Sequence, residues 1–155
     1  MGSKRRWIIL LSLILVFSMF GLTGCVTDTG TLEPDDGIEI VEQTYTAALF
    51  FSNEEYVMVG DESLEKYLVS ESEFAAMPGD AYFEAVELLR TPPEEGYGTS
   101  LTDKIKFNDI YMAGDTVYVD LDSNGLSGSS LEETYLIGQV VNTLMNTFAE
   151  VQQVQ

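Results

Sequence analysis

Residues 130–148, SLEETYLIGQVVNTLMNTF, decide the fold, because they predict the longest helix behind the N-terminal segment. Ser130-Leu-Glu-Glu133 matches a capping box, in which the Ser130 hydroxyl and the Glu133 carboxylate each accept a hydrogen bond from a free backbone N–H. Apolar residues then recur at helical spacing as far as the end of the stretch. The predicted inner stripe of this helix consists of Ile137, Val141, Leu144 and Phe148.

Two strands are predicted at the beginning of the same domain. Thr44 to Phe51 alternates in a strand pattern that is apolar on both faces, and Asn53-Glu54-Glu55 breaks it. Tyr56-Val-Met-Val59 is predicted to continue as an extended arm as far as a turn that begins at Gly60. Lys66 to Phe74 is predicted to return as the second strand.

A shorter helix and a hairpin are predicted in the middle of the domain. Asp80 is the predicted N-cap of a helix that ends at Thr91-Pro92-Pro93, because proline lacks an N–H. Ile105–Tyr111 and Val117–Leu121 are predicted to pair as a hairpin. Val151–Gln155 reads as the start of a strand that is cut short. The order ββαββα plus this stub predicts an α+β layer sandwich, with two helices on one face of a small sheet.

The first 25 residues have the features of a lipoprotein signal. Lys4-Arg5-Arg6 precedes an apolar run from Trp7 to Phe20, which suits a signal peptide better than a membrane span of about 20 residues. Leu22-Thr23-Gly24-Cys25 resembles the bacterial lipobox, and the only cysteine of the chain stands at the acylated position. Two acyl chains on Cys25 would anchor the protein to the extracytoplasmic face of the cell membrane. The alternative is an uncleaved N-terminal anchor.

These patterns divide the chain into three parts. Residues 1–24 are the predicted signal peptide, and residues 25–43 are the predicted lipid anchor with a flexible acidic tether. Residues 44–155 are the predicted folded domain.

The charge excludes several classes of function. The chain has 26 acidic and 7 basic residues, no histidine and one cysteine. Without residues 1–24, four basic residues remain, so the formal charge is 4 − 26 = −22. Such a surface does not bind nucleic acid, which needs a basic stripe. Histidine-dependent catalysis, Cys/His zinc sites and an intramolecular disulfide are also excluded.

Neither a metal nor a catalytic site is predicted. Asp120-Leu-Asp-Ser-Asn-Gly125 matches the opening of a calcium loop, but Leu131 stands where the bidentate acid is needed. We therefore interpret it as a polar loop that leaves a strand. We interpret the neighbouring acids on the two helices as solvated surface charges, because nothing indicates that they are buried. These acids are Glu84 with Glu87 and Glu132 with Glu133.

The long helix is free of charge after Glu133. Sixteen consecutive residues, from 134 to 149, carry no charge in a strongly acidic chain. Because charged residues are depleted at the cores of protein interfaces, one interpretation is a contact with another protein. The alternative is a helix packed between the sheet and a loop. The candidate contact residues are Gln139, Asn142, Thr143 and Asn146.

Several motifs, taken in order along residues 44–155, resemble the GerM domain of spore-formation and germination lipoproteins. The final helix and the segment after it resemble the family's "IVNTL" pattern and the valines that follow it. Thr91 replaces a glycine that is usual in the family, and the chain ends before the family's closing strand, so we expect a truncated domain. The matching stretches are Ala48–Asn53, Glu87–Pro92, Val117–Leu121, Ser129-Ser130, Val140–Leu144 and Val151–Gln155.

This resemblance implies a non-catalytic, ring-building type of module without a cofactor. Its implied role is assembly with copies of itself, or with other envelope or sporulation proteins, in a transenvelope channel or ring. The acidic composition leaves an alternative open, a lipoprotein that binds a ligand or a cation outside the membrane. A hydrolase that uses carboxylates is a third class.

The lipobox gives a direct prediction for Cys25. Cys25→Ser should accumulate as an uncleaved precursor without acyl chains, because a serine oxygen does not form the diacylglyceryl thioether. Metabolic labelling with a radioactive fatty acid measures this. Label in the serine variant would contradict the lipoprotein assignment.

Overall fold

The computed structural model describes residues 41–126 and 128–155, which lie in one compact unit, Ile38–Gln155. The predicted signal peptide and Cys25 lie outside the described residues. No helix in the described part of the chain is both long enough and apolar enough to cross a membrane.

The described residues form two three-stranded sheets and three α-helices. The first sheet has the order β2-β1-β3 and is antiparallel; the second has the order β4-β5-β6, in which β6 runs parallel to β5. The strands are β1 Gln43–Asn53, β2 Tyr67–Ala76, β3 Tyr97–Gly98, β4 Phe107–Ala113, β5 Thr116–Leu121 and β6 Gln153–Val154. The helices are α1 Glu54–Val59, α2 Ala81–Glu87 and α3 Ser130–Thr147, and 3-10 turns occupy Leu88–Arg90 and Ser123–Gly125.

The predicted α+β class is confirmed, and so are the first strand pair, the hairpin and the helix that ends before Pro92. Val151–Gln155 also contains the expected strand, because β6 pairs with β5. The prediction of a single sheet is wrong. Two sheets form instead, because most of the edge of β1 opposite β2 faces α3 and not another strand.

A single apolar core joins the strands to α2 and α3. Phe51 of β1, Val86 of α2 and Leu144 of α3 are fully buried within it. Each such side chain stabilises the fold by roughly 1.5–3 kcal/mol. At the border of the core, the ring centroids of Tyr82 and Phe148 lie 4.5 Å apart. The Tyr82 hydroxyl donates a hydrogen bond of 3.1 Å to Glu150 Oε1. Burial and this hydrogen bond raise the pKa of Tyr82 to about 12.

The extended arm predicted for residues 56–59 is wrong, because this segment belongs to helix α1. The Asn53 side chain accepts hydrogen bonds from the backbone N–H groups of Glu55, at 3.0 Å, and Tyr56, at 3.3 Å. Gly60 ends the helix in the left-handed region, with φ of 66°. Because β-branched residues favour a strand locally, only the two caps indicated a helix here.

The capping box of α3 lies one residue earlier than predicted. Ser129 is the N-cap, and its hydroxyl accepts a hydrogen bond of 3.3 Å from the Glu132 N–H. The Glu132 carboxylate accepts a 2.8 Å hydrogen bond from the Ser129 N–H. Ser129 and Ser130 both precede a glutamate by three residues, so the sequence offered two registers for the same motif.

The inner stripe of α3 is also different from the prediction. Leu144 and Phe148 are buried as predicted, whereas Ile137 is 60% exposed and Val141 is half-buried. Apolar residues lie on two adjacent stripes of this helix, and one residue corresponds to a rotation of about 100°. Periodicity alone therefore did not identify the buried stripe, which contains Leu136, Val140 and Leu144.

Gly138 provides a test of how α3 packs against β2. A Cβ at Gly138 would overlap the hydroxyl of Tyr67, so the Tyr67 side chain reaches the backbone of α3 at a position where the helix has no side chain. Alanine favours a helix over glycine by about 1 kcal/mol, yet we expect Gly138→Ala to destabilise the domain by roughly 1–3 kcal/mol through overpacking. Urea unfolding measures this change. Adding Tyr67→Phe should recover part of the loss; a stabilised Gly138→Ala variant would contradict the packing described.

Candidate protein interface

One side of α3 supplies hydrogen-bond acceptors to the edge of β1. Thr143 Oγ1 accepts from the Phe50 N–H and Thr147 Oγ1 accepts from the Ala48 N–H, both at 3.0 Å. Residues four apart on a helix are separated by about 6 Å, and residues two apart on a strand by roughly 6.6 Å. The two threonines therefore match successive outward N–H groups of the strand and take the place of a neighbouring strand.

Gln139 extends the same row by one helical turn. Its side-chain oxygen accepts a 2.9 Å hydrogen bond from the Ser100 N–H, and its amide nitrogen donates a 2.8 Å hydrogen bond to the Gly98 carbonyl. The side chain is fully buried with both polar atoms satisfied. Gln139 thus joins α3 to the end of β3, where the β1 edge stops.

This geometry corrects half of the predicted contact surface. Gln139 and Thr143 are fully buried inside their own domain, so their assignment to a contact with another protein is wrong. Asn142 is half-buried and Asn146 is exposed, with its amide donating to the Asn142 carbonyl at 2.8 Å. For the buried stripe, the alternative interpretation of a packed helix is confirmed. The recurrence of Gln or Thr at every fourth position of this helix is the sequence signal that could have revealed the buried polar stripe.

An apolar groove lies on another side of α3, above the second sheet. Ile137 is 60% exposed, and Met145 lies two turns further along the helix and is 42% exposed. The groove has a volume of about 240 Å³, and none of the nine side chains that line it is charged. In so acidic a chain, this is an unusual concentration of uncharged surface. Its lining consists of Phe107, Val119, Leu121, Leu136, Ile137, Val140, Val141, Val154 and Gln155.

The loop that resembles a calcium site has a structural role. Asp122 Oδ1 accepts hydrogen bonds from the Asn124 backbone N–H at 2.9 Å and from its side-chain amide at 2.7 Å, which caps a 3-10 turn. A Cβ at Gly125 would overlap the carbonyl of Lys104, so this glycine allows a close packing contact. In the ranges 41–126 and 128–155, no cluster of three or more cysteine or acidic side chains is placed to hold a metal ion.

One member of each acidic pair holds local structure, whereas Glu84 and Glu133 are exposed. Glu87 forms a two-point ion pair with Arg90, with distances of 2.7 Å from Nε and 2.6 Å from Nη2, and this pair raises the pKa of Arg90. Arg90 in turn donates to the carbonyls of Thr102 and Ile105. Glu132 caps α3. Glu87 and Glu132 therefore fix a helix end and a loop.

The row on α3 gives a stability prediction. Thr143→Val keeps the shape of the side chain but leaves the partly buried Phe50 N–H without its acceptor, so we expect a loss of about 1–3 kcal/mol. Thr143→Ser should retain most of the stability. Thr134→Val, at an exposed position of the same helix, is the matched control and should change stability by less than about 0.5 kcal/mol. Equal unfolding midpoints for the two valine variants would contradict the edge contact.

The domain is similar to known proteins in two comparisons, one of structures and one of family patterns. A Clostridium perfringens protein described as a candidate lipoprotein, with a crystal structure at 2.5 Å, aligns at 12% identity with a TM-score of 0.44 over 75% of this chain and 74% of its own. No curated protein matches the chain significantly in sequence. The family model described as "Sporulation and spore germination" matches residues 48–155, which confirms the GerM resemblance. The chain belongs to this family, the Germane family of sporulation and spore germination domains.

Proposed function

We propose that this protein is a lipid-anchored, non-catalytic module of the bacterial envelope, and that copies of it assemble side by side during spore formation or germination. The observation that carries the proposal is the uncharged groove between α3 and the second sheet. Family membership supports the process, and the lipobox at Cys25 supports the anchor.

The groove has the composition of an interface core. Such cores are depleted of charged side chains, and the groove excludes charge although 26 acidic residues are distributed along the chain. Ile137 projects beside it and is 60% exposed, so a neighbouring molecule would remove apolar surface from water on contact.

Membrane attachment would make such a weak contact effective. The predicted mature chain has a formal charge of 4 − 26 = −22, so free domains should repel one another in dilute solution. Anchoring through Cys25 raises the local concentration, and salt shortens the Debye length to about 8 Å at 0.15 M. If the groove binds a different surface of the next copy, the contact is heterologous and closes a ring when the rotation allows it.

The structural roles of the carboxylates favour a non-catalytic module. Glu87, Asp122 and Glu132 are engaged in an ion pair, a turn cap and a helix cap. The cation-binding alternative has no support from the Asp122 loop, whose carboxylate oxygen already accepts two hydrogen bonds from Asn124.

A charge placed in the groove tests this proposal. Ile137→Glu should leave the melting temperature almost unchanged, because the side chain is exposed, and should abolish the association of acylated protein on phosphatidylcholine vesicles. Carboxyl-to-amine cross-linking of the vesicle-bound protein counts the associated copies. Thr134→Glu adds the same charge one turn earlier on α3 and should still associate.

Sporulation assays of the same variants connect the contact to the process. The Ile137→Glu gene should fail to complement a deletion, and the Thr134→Glu gene should complement it. If Ile137→Glu both cross-links and complements like the wild type, the groove is not the contact and the proposed assembly through it is wrong.

A further inference from the structure

We propose that the tip of α1, formed by Val57, Met58 and Val59, is a second docking surface. It inserts into an apolar pocket of a partner protein, and lysine and arginine residues of that partner form the rim of the pocket. This surface is separate from the groove beside α3, and its partner is a different protein and not another copy of this chain.

The tip is firmly mounted on the first sheet. The Asn53 amide donates a 2.9 Å hydrogen bond to the Glu65 carbonyl, and its backbone N–H donates to the Lys66 carbonyl at 3.1 Å. The Glu54 N–H donates to the Gly96 carbonyl at 3.1 Å. The connection between β1 and β2 is therefore closed at its base, and α1, with both ends capped, projects from it in a fixed orientation.

No residue of α1 is buried, although half of the helix is strongly apolar. Val57 is 42% exposed, Met58 is 78% exposed and Val59 is 63% exposed. Single exposed apolar residues are ordinary, but three in succession are a defect unless a partner covers them. Methionine suits such a role because its flexible, polarisable side chain adapts to the shape of a pocket.

Acidic residues flank this apolar tip along the chain. Five of them lie in the same connection, and its one basic residue, Lys66, lies over the rings of Tyr67 and Tyr135, at 5.6 and 5.2 Å from the ring centres. The charge complementary to the tip is therefore a rim of lysine and arginine around an apolar pocket. The acidic residues are Glu54, Glu55, Asp61, Glu62 and Glu65.

The same charges disfavour the other occupants of the tip. A second copy brings a further net negative charge, and a bilayer rich in anionic lipids repels acids that stand beside the inserting residues. A basic protein is attracted by these acids and also buries the apolar side chains.

Photo-cross-linking in the bacterium that makes the protein tests this inference. A photoreactive benzophenone amino acid replaces Met58 in the full-length protein, and the same residue at Glu73, an exposed site on β2, is the matched control. We expect one discrete adduct at position 58 that is absent at position 73. Mass spectrometry of the adduct should locate the cross-link in a partner segment with an excess of lysine and arginine.

Binding assays with the purified partner then separate the contribution of the apolar residues from that of the acidic residues. Val57→Ser with Met58→Ser keeps the charge and should raise the Kd by about tenfold or more. Glu54→Gln with Glu55→Gln and Glu62→Gln should weaken binding at low salt and flatten its salt dependence. Ile137→Glu should leave this binding unchanged, so failure of the groove contact and failure of this contact are distinguishable.

Several results would overturn the inference. They are an adduct with a second copy of this chain, an adduct with lipid, no adduct at position 58, or a cross-linked segment without basic residues. Wild-type protein that binds phosphatidylcholine vesicles through the tip, with loss of that binding in the serine variant, would identify a membrane contact instead.

Discussion

The unpaired edge of β1 is the constraint on which the rest of the domain depends. Buried backbone N–H groups need acceptors, and β3 reaches only the last two residues of this edge. Thr143 and Thr147 accept hydrogen bonds from the Phe50 and Ala48 N–H groups. A helix thus supplies acceptors that a neighbouring strand would otherwise supply. Because α3 stands where a further strand would pair, the strands divide into two sheets.

This contact also explains why the buried side of α3 carries no charge. The residues that face β1 and β3 need short or neutral polar side chains, since a buried charge without a partner is costly. Gln139 and Thr143 are fully buried in this role. Their hydrogen bonds fix the rotation of α3 about its axis, and this rotation directs Ile137 outward, toward the groove above the second sheet. The internal contact thus determines which surface is available to a neighbour.

The two surfaces proposed for contact differ in their charge and therefore in the expected effect of salt. The groove is uncharged, so association through it is opposed only by the overall negative field and should be favoured by salt. The tip of α1 is apolar but flanked by acids, so its contact with a basic partner should be weakened by salt. Ionic conditions at the membrane surface would therefore shift the balance between contacts among copies and contacts with a different protein.

The sequence by itself determined the class of the domain, most of its elements and its family. Alternation in β1, the prolines after Arg90 and the spacing along α3 depend on neighbouring residues, so their physical effects are visible locally. The helix at residues 54–59 was missed because its valines favour a strand, whereas the Asn53 side chain and Gly60 impose the helix ends. Only the tertiary structure decided which stripe of α3 is buried. Both stripes are apolar enough to face a core, and the choice came from the distant N–H groups of Ala48 and Phe50, which no local pattern around Thr143 records.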